Sequence, residues 1–367
     1  MLESGMPPFD PYHLQPLATL NQRKIISLPG VEPGLVGQTG YAVASQPALI
    51  ALLHSHAQEL GLEGVAEADY PQRLNDLLDS PNASLRIASK EIAETHGRRL
   101  GSLLASILLS PGGLTDPLDP WEAVYLRYWR EQVGTLFLGG GLANGSLGQV
   151  IRRAVAEVFE KCGLSAIQVQ VAESPSFLPL LGAARSLPGE MAEVAAVADF
   201  GGTQAKRGLA AYGPDGSLQS LEVLPSRSVA ALNAPGKTVE LAACMVETLA
   251  ESLRLVSEGQ ALVPKLLVCL AAYVQDGKPL NLQRGGYYAL NKLSGDISAW
   301  FSEQVSQSSG RVMEVEFLHD CDAAAVALAG RQRAAVVMLG SALGVGFVPP
   351  EEAYRKASPV FEMTARA

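Results

Sequence analysis

At 367 residues the chain is long enough for two domains, each with a core of its own. A hydrophobic content of 48% against 18% charged residues excludes a disordered chain. A net charge of −9 with no basic run argues against nonspecific binding to nucleic acid or to an acidic membrane surface.

Residues 1–40, rich in Pro and Gly, read as irregular segments. Residues 46–60 carry Leu49, Leu52, Leu53, His56 and Leu60 at helical spacing. A long helix is expected over 84–110, with Ile87, Ile92, Leu100, Leu103, Leu104, Ile107 and Leu108 on or near one face, and Pro111-Gly112-Gly113 ends it. Residues 114–131 read as an inserted loop and short helix. Residues 132–163 give a strand, a glycine turn and a helix, and 166–174 another strand. A helix near 175–187 precedes a boundary at Pro188-Gly189. The second half opens on a hairpin, "VAAVADFGGTQAKRGLAAY", residues 194–212. A helix is expected over 238–258, a buried strand in "KLLVCLAAYV", and an amphipathic helix in "SGDISAWFSEQVSQ". "VMEVEFLHD" is a strand ending on His319-Asp320, "DAAAVALAGR" is helical, and "AAVVMLGSALGVGFV" is a strand with a second glycine turn. Strands alternating with helices imply an α/β architecture.

Cys162, Cys244, Cys269 and Cys321 lie far apart, with no paired-cysteine metal motif, and are expected as free thiols in a reducing compartment. "MLESGMPPFDPYHLQPL" has neither a basic nor an apolar leader segment, and a cytoplasmic protein is expected.

Three glycine turns each come directly after an apolar strand: Gly139-Gly140-Gly141, Gly201-Gly202-Thr203 and the turn from Gly340 through Ser341 to Gly344. Glycine lets backbone N–H groups approach an anion closely. Asp199 at a strand end can hold a hydrated Mg²⁺ beside phosphates, or simply cap the turn. Thr203 and the N–H groups near Gly202 can take phosphate oxygens, and Gly139–Gly141 would let an adenine ring lie against backbone. Lys206 would add charge there, although it reads more readily as a solvated strand residue. Asp320, before a helix, is the candidate base for a substrate hydroxyl. His319 reads equally as a ligand contact or a hydrogen-bonded structural histidine. His54, His56 and His96, in helical segments, read as surface or core residues.

"ADFGGTQAKRGLAAYGPDGSL" resembles the first phosphate motif of the sugar-kinase, actin and heat-shock-protein superfamily, and is most similar to the ROK (repressor, open reading frame, kinase) family pattern Asp-Ile-Gly-Gly-Thr. "VEFLHDCDAAAVALAG" resembles that family's catalytic Asp segment, "AVVMLGSALGVGFV" its second phosphate motif, and "LFLGGGLANGSLGQVIRRAV" with "FLPLLGAA" its adenosine motif and last helix. "GYAVASQPAL" resembles the stretch after its zinc loop. The motif order is rotated: the chain begins after the second phosphate motif and reaches Asp199 only past the last helix. The resemblance therefore implies a circularly permuted, two-domain actin-like ATPase (ribonuclease H-like) α/β fold. Residues 1–190 with 336–367 form one domain in this reading and 191–335 the other, the 175–187 helix being able to cross to the second, with 1–40 and 336–367 in one sheet.

The resemblance implies ATP and Mg²⁺ as cofactors, phosphoryl transfer to a hydroxyl of a sugar-like small molecule, and Asn291 and His319 as substrate contacts. It leaves Asp322 without a base role. Nucleic-acid and membrane partners are not expected, and a homo-oligomer is compatible with it. The chain departs from the family in lacking the zinc cysteines, the Glu-x-Gly-His sugar motif and the Asn before the catalytic Asp. No structural zinc is expected. Two other readings stand beside the kinase. One is a dinucleotide-binding domain on Gly139, Gly141, Gly145 and Glu173, which leaves Asp199 unexplained. The other is a nucleotide- or sugar-binding regulatory protein with little transfer activity, without a helix-turn-helix segment.

Overall fold

The computed structural model describes residues 8–110, 112–187, 193–257, 259–280 and 286–366; the boundary expected at Pro188-Gly189 lies outside them. The first third is helical: α1 (Gly40–Ala44), α2 (Gln46–His54), α3 (Ala57–Leu60), α4 (Tyr70–Leu78), α5 (Ala83–Leu109) and α6 (Pro120–Gln132). Short polar side chains start these helices. Thr39, Ser45, Asn82 and Asp119 each accept a backbone N–H of the first turn, worth about 1 kcal/mol per cap. Then come β1 (Thr135–Gly139), α7 (Gly145–Lys161), β2 (Gln168–Val171) and α8 (Leu178–Ser186). Next are β3 (Val194–Phe200), β4 (Gln204–Tyr212), β5 (Leu218–Ser228), α9 (Thr238–Arg254), β6 (Lys265–Leu270), β7 (Val274–Gln275) and β8 (Lys278–Pro279). The chain closes with α10 (Ile297–Ser309), β9 (Glu314–His319), α11 (Asp320–Ala327), β10 (Ala334–Leu339), β11 (Leu343–Phe347) and β12 (Ala357–Ala365).

The chain divides into two compact units. Unit 1 comprises Met1–Ser176 with Arg333–Phe347, and unit 2 comprises Phe177–Gln332 with Val348–Ala367. Helix α8 and the terminal strand β12 thus pack in unit 2. In unit 2 the sheet order is β12-β5-β4-β3-β6-β9. β3, β4 and β5 form an antiparallel meander, and β6 and β9 run parallel to β3 and to each other. In unit 1 the order is β11-β10-β1-β2, with β10–β11 antiparallel and β1 and β2 parallel to β10.

The two sheets share one plan: a hairpin whose first strand continues into two parallel strands. This is the duplicated ribonuclease H-like arrangement of the actin-like ATPase fold. The chain order differs between the copies. In unit 2 the hairpin precedes the parallel strands; in unit 1 the hairpin comes last, at 334–347, after β1 and β2 at 135–171. That rotation is the circular permutation seen inside one molecule.

Among the described residues, 8–40 contribute no strand to the unit 1 sheet. Their described part forms two 3₁₀ turns and an isolated bridge, Lys24–Thr39. They reach the hairpin through a side chain instead: Asn21 donates to the Leu343 carbonyl at 2.8 Å and accepts the Leu343 N–H at 2.9 Å. Prolines spread between positions 8 and 33 remove backbone donors a strand needs. The stretch expected as an inserted loop and short helix carries α6, whose Trp121, Tyr125 and Trp129 are buried at i, i+4 and i+8. Tyr128 and Trp129 pack on Phe347 of β11. Arg23 and Glu122 form a buried ion pair beside them.

The unit 2 sheet has a core on each face, set by the two-residue period of its strands. Ala196, Ala198, Phe200, Leu266, Val268 and Leu270 point to the α9 and α10 side. Ala195, Val197, Leu267 and Cys269 point to α8 and α11. Asp199 has the second parity, so the fold delivers it to the face that α11 covers.

Candidate phosphate and cation site

The chemistry-bearing residues of unit 2 collect where β3, β6 and β9 end, the edge at which parallel strands feed their helices and present working groups. Asp199, next to last in β3, is 3% exposed. Antiparallel register places Lys206 of β4 opposite it, and parallel register places Cys269 of β6 on its other side. Lys206 Nζ lies 3.6 Å from Asp199 Oδ2, so its charge sits against that carboxylate. Asp320 opens α11 directly after β9, where the helix N-terminus favours its ionised form.

Burial pushes the Asp199 carboxyl up to about 6; Lys206 restrains the rise and the nearby Asp320 charge adds to it. Burial also raises Asp320, held back by His319 and by the Cys321 thiol and N–H that donate to it. Asp199 Oδ1 is buried and has no hydrogen-bond partner among the described residues. A buried carboxylate with one oxygen facing Lys206 and the other unsatisfied is the donor a hard divalent cation takes up. The residues present therefore fit Mg²⁺.

The hairpin tip is firmly tied. The Gly201 N–H donates to the Gln204 carbonyl at 3.0 Å, and the Gly201 carbonyl accepts the Tyr287 hydroxyl at 2.8 Å. That N–H closes the turn rather than facing a phosphate, so the residues after it, the exposed Thr203 above all, are what the tip offers. Asn233 Nδ2 donates to the Gly202 carbonyl at 3.4 Å. Asn291 donates its amide to the Pro279 carbonyl, tying a 3₁₀ turn to β8. His319 is buried and stacks on Tyr273 with ring centroids 4.7 Å apart. Its two ring nitrogens face Asp320 and Asp322, not open space.

The remaining expected residues lie in unit 1, where the structure brings two glycine turns side by side. Gly139 pairs with Met338, and a Cβ on Gly140, at φ 85°, would strike the Leu339 backbone. Gly140 is glycine because β10 passes too close for a side chain. The Gly340 carbonyl accepts the Gln46 N–H at 2.8 Å. Near the start of α7 a cavity of about 300 Å³ is lined by Leu78, Ile87 and Val150 with Arg86, Lys90 and Arg153.

Sequence reasoning missed the aromatic support of the unit 2 site. Tyr287 holds the hairpin tip, and Tyr288 accepts the Tyr273 N–H at 3.1 Å. The adjacent pair "YY" in a glycine-flanked loop was the available signal. His96, expected as a surface or core residue, is a core residue with no exposure.

No family model and no curated protein matches the chain. Among solved structures, the type II variant of the Aquifex aeolicus Ppx/GppA phosphatase is similar at 17% identity and a TM-score of 0.20, over 34% of this chain and 36% of that one. An exopolyphosphatase-like protein is similar at 12% identity and a TM-score of 0.30, over 68% of this chain and 85% of that one. The chain thus spans about a third of the length of the Aquifex phosphatase. The strand order of the two sheets, not these scores, identifies the chain as an actin-like ATPase fold with rotated order.

Proposed function

We propose that unit 2 carries a cation-dependent phosphoryl-transfer site. The donor is ATP and the acceptor a hydroxyl of a sugar-like small molecule, as in the ROK sugar kinases whose motifs the sequence resembles. The observation that carries this reading is the buried, half-satisfied carboxylate of Asp199 beside Asp320 at the strand ends. Asp199 would hold Mg²⁺, which when bound neutralises charge on the phosphates. Lys206 keeps Asp199 ionised against its burial. Asp320 accepts the proton of the attacking hydroxyl as its oxygen bonds to phosphorus and the anhydride P–O bond breaks, its electron pair leaving with ADP. An alcohol turns acidic only as that bond forms, so a carboxylate of modest basicity serves.

A second reading takes water as the acceptor. It is favoured by Asn291, whose amide is committed to the Pro279 carbonyl, and by the absence of the family's sugar motif. One assay separates the readings: ADP release from MgATP alone and with a panel of sugars. Sugar-dependent release supports the kinase and sugar-independent release the hydrolase. Asp320→Asn should leave ATP binding intact and slow either reaction about 10²–10⁴-fold. Binding of ATP with no release under any condition would leave a nucleotide-binding regulator.

A further inference from the structure

His319 occupies a position whose surroundings dictate its protonation. Nδ1 lies 3.3 Å from Asp322 Oδ1 and Nε2 lies 3.5 Å from Asp320 Oδ1. Both neighbours are carboxylates, which when ionised only accept. A neutral imidazole would aim a lone pair at one of them; only the doubly protonated ring offers an N–H to each. Nδ1 and Asp322 Oδ1 are both buried and neither makes a hydrogen bond among the described residues, so at 3.3 Å each is the polar group nearest to hand for the other. The ring cannot swing away easily, since Tyr273 stacks on it with an interplanar angle of 29°. Tyr273 is in turn held through its N–H by Tyr288.

We propose that Asp322, His319 and Asp320 form a carboxylate–imidazolium–carboxylate clamp, in which His319 is a positioning residue that keeps Asp320 ionised and aimed. The groups facing the ring are Asp320, Cys321 and Asp322 from α11, Tyr273 after β6, and Leu270 beside it in the sheet. Strand parity sends Asp199 and Lys206 to the other face. Burial alone would lower His319, yet the Asp322 and Asp320 charges outweigh it and hold the ring above its ordinary value of 6.5. Burial drives Asp320 the other way, toward the neutral acid, and the imidazolium is the first influence opposing that. The clamp itself stands on geometry; its service to catalysis rests on the phosphoryl-transfer reading. It also gives Asp322 a task that the family resemblance does not.

The test needs no substrate. The full chain, labelled with ¹⁵N-histidine and ¹³C-carboxyl aspartate and kept metal-free with a chelator, is titrated by NMR. Signals are assigned by their loss in His319→Asn and Asp320→Asn. His319 should titrate above its ordinary value of 6.5. Asp322→Asn should lower its midpoint by about one pH unit or more, and His319→Asn should raise the Asp320 midpoint by a similar amount. Near-UV circular dichroism checks folding. If His319→Asn does not fold, Asp322→Asn decides the matter through His319 alone. His319 titrating at or below its ordinary value, or Asp320 unmoved in His319→Asn, overturns the proposal. Turnover supplies a separate readout: His319→Asn should shift the acid limb of kcat upward and recover at alkaline pH, while an equal loss at every pH overturns the positioning role. Midpoints that move as expected in a protein without turnover uphold the clamp and remove the phosphoryl-transfer reading instead.

Discussion

His96 lies in the middle of α5 with no exposed surface, and neither ring nitrogen has a partner among the described residues. Burial, helped by the charge of Arg99, holds it down to about 4 from an ordinary 6.5. The unfolded chain therefore binds a proton there that the folded chain refuses, and stability falls as pH drops from 6.5 toward 4. The loss is on the order of 3 kcal/mol at the acid end. Asp199 acts in the opposite sense. Its folded value near 6 means the fold retains a proton that the unfolded chain releases from 3.8 upward, so this contribution is full at low pH and fades as pH rises through about 6. The two oppose each other in the wild type, and a difference measurement separates them. In denaturant titrations, His96→Leu should gain stability relative to wild type as pH falls from 6.5 to 4. Parallel pH dependence in the two proteins would contradict the burial argument. At this scale the strand-end positions of Asp199 and Asp320 were legible because each closes an apolar run. That the charge of Lys206 falls on Asp199 comes from cross-strand register, which residue type alone does not reveal.

Helix α11 carries Asp320 and Asp322, and its placement depends on one glycine of α8. A Cβ on Gly182 would collide with the Ala323 carbonyl. Gly182→Ala therefore pushes α8 and α11 apart, and should destabilise by about 1–3 kcal/mol despite the better helix propensity of alanine. Chemical denaturation measures this; an unchanged or more stable protein would show that the crossing has slack. Gly97 and Gly101 of α5 make a comparable groove against α7, meeting Ala154 and Val158. The long helix α5 was visible in its apolar spacing, but these glycines are bland in sequence and acquire meaning only once α7 is known to lie on them. Helix α6 was legible as a short helix after a loop: Trp121, Tyr125 and Trp129 are at helical spacing, and the Pro and Asp residues ahead of them mark the loop. Strand β12 left little trace, because most of its residues are exposed and the alternation that marks a half-buried strand is missing.

Over the whole molecule, the permuted order was legible because each unit places glycines at the end of an apolar strand, and such turns keep their residue types wherever the chain is opened. The exact partition was not legible. Nothing in "FLPLLGAARS" shows that Ala183 and Ala184 face the unit 2 core, or that Arg185 will bond the carbonyls of Ala327 and Arg355. Among the described residues no helix is long and apolar enough to cross a membrane. The central claim is that the strand ends of unit 2 bind phosphate through a cation held by Asp199. It is tested most directly by calorimetric titration of ATP into the wild type and Asp199→Asn, each with and without Mg²⁺. The account predicts that Mg²⁺ tightens ATP binding at least about tenfold in the wild type and not at all in Asp199→Asn, one tenfold step being ~1.4 kcal/mol. Equal Mg²⁺ dependence in the two proteins would contradict it.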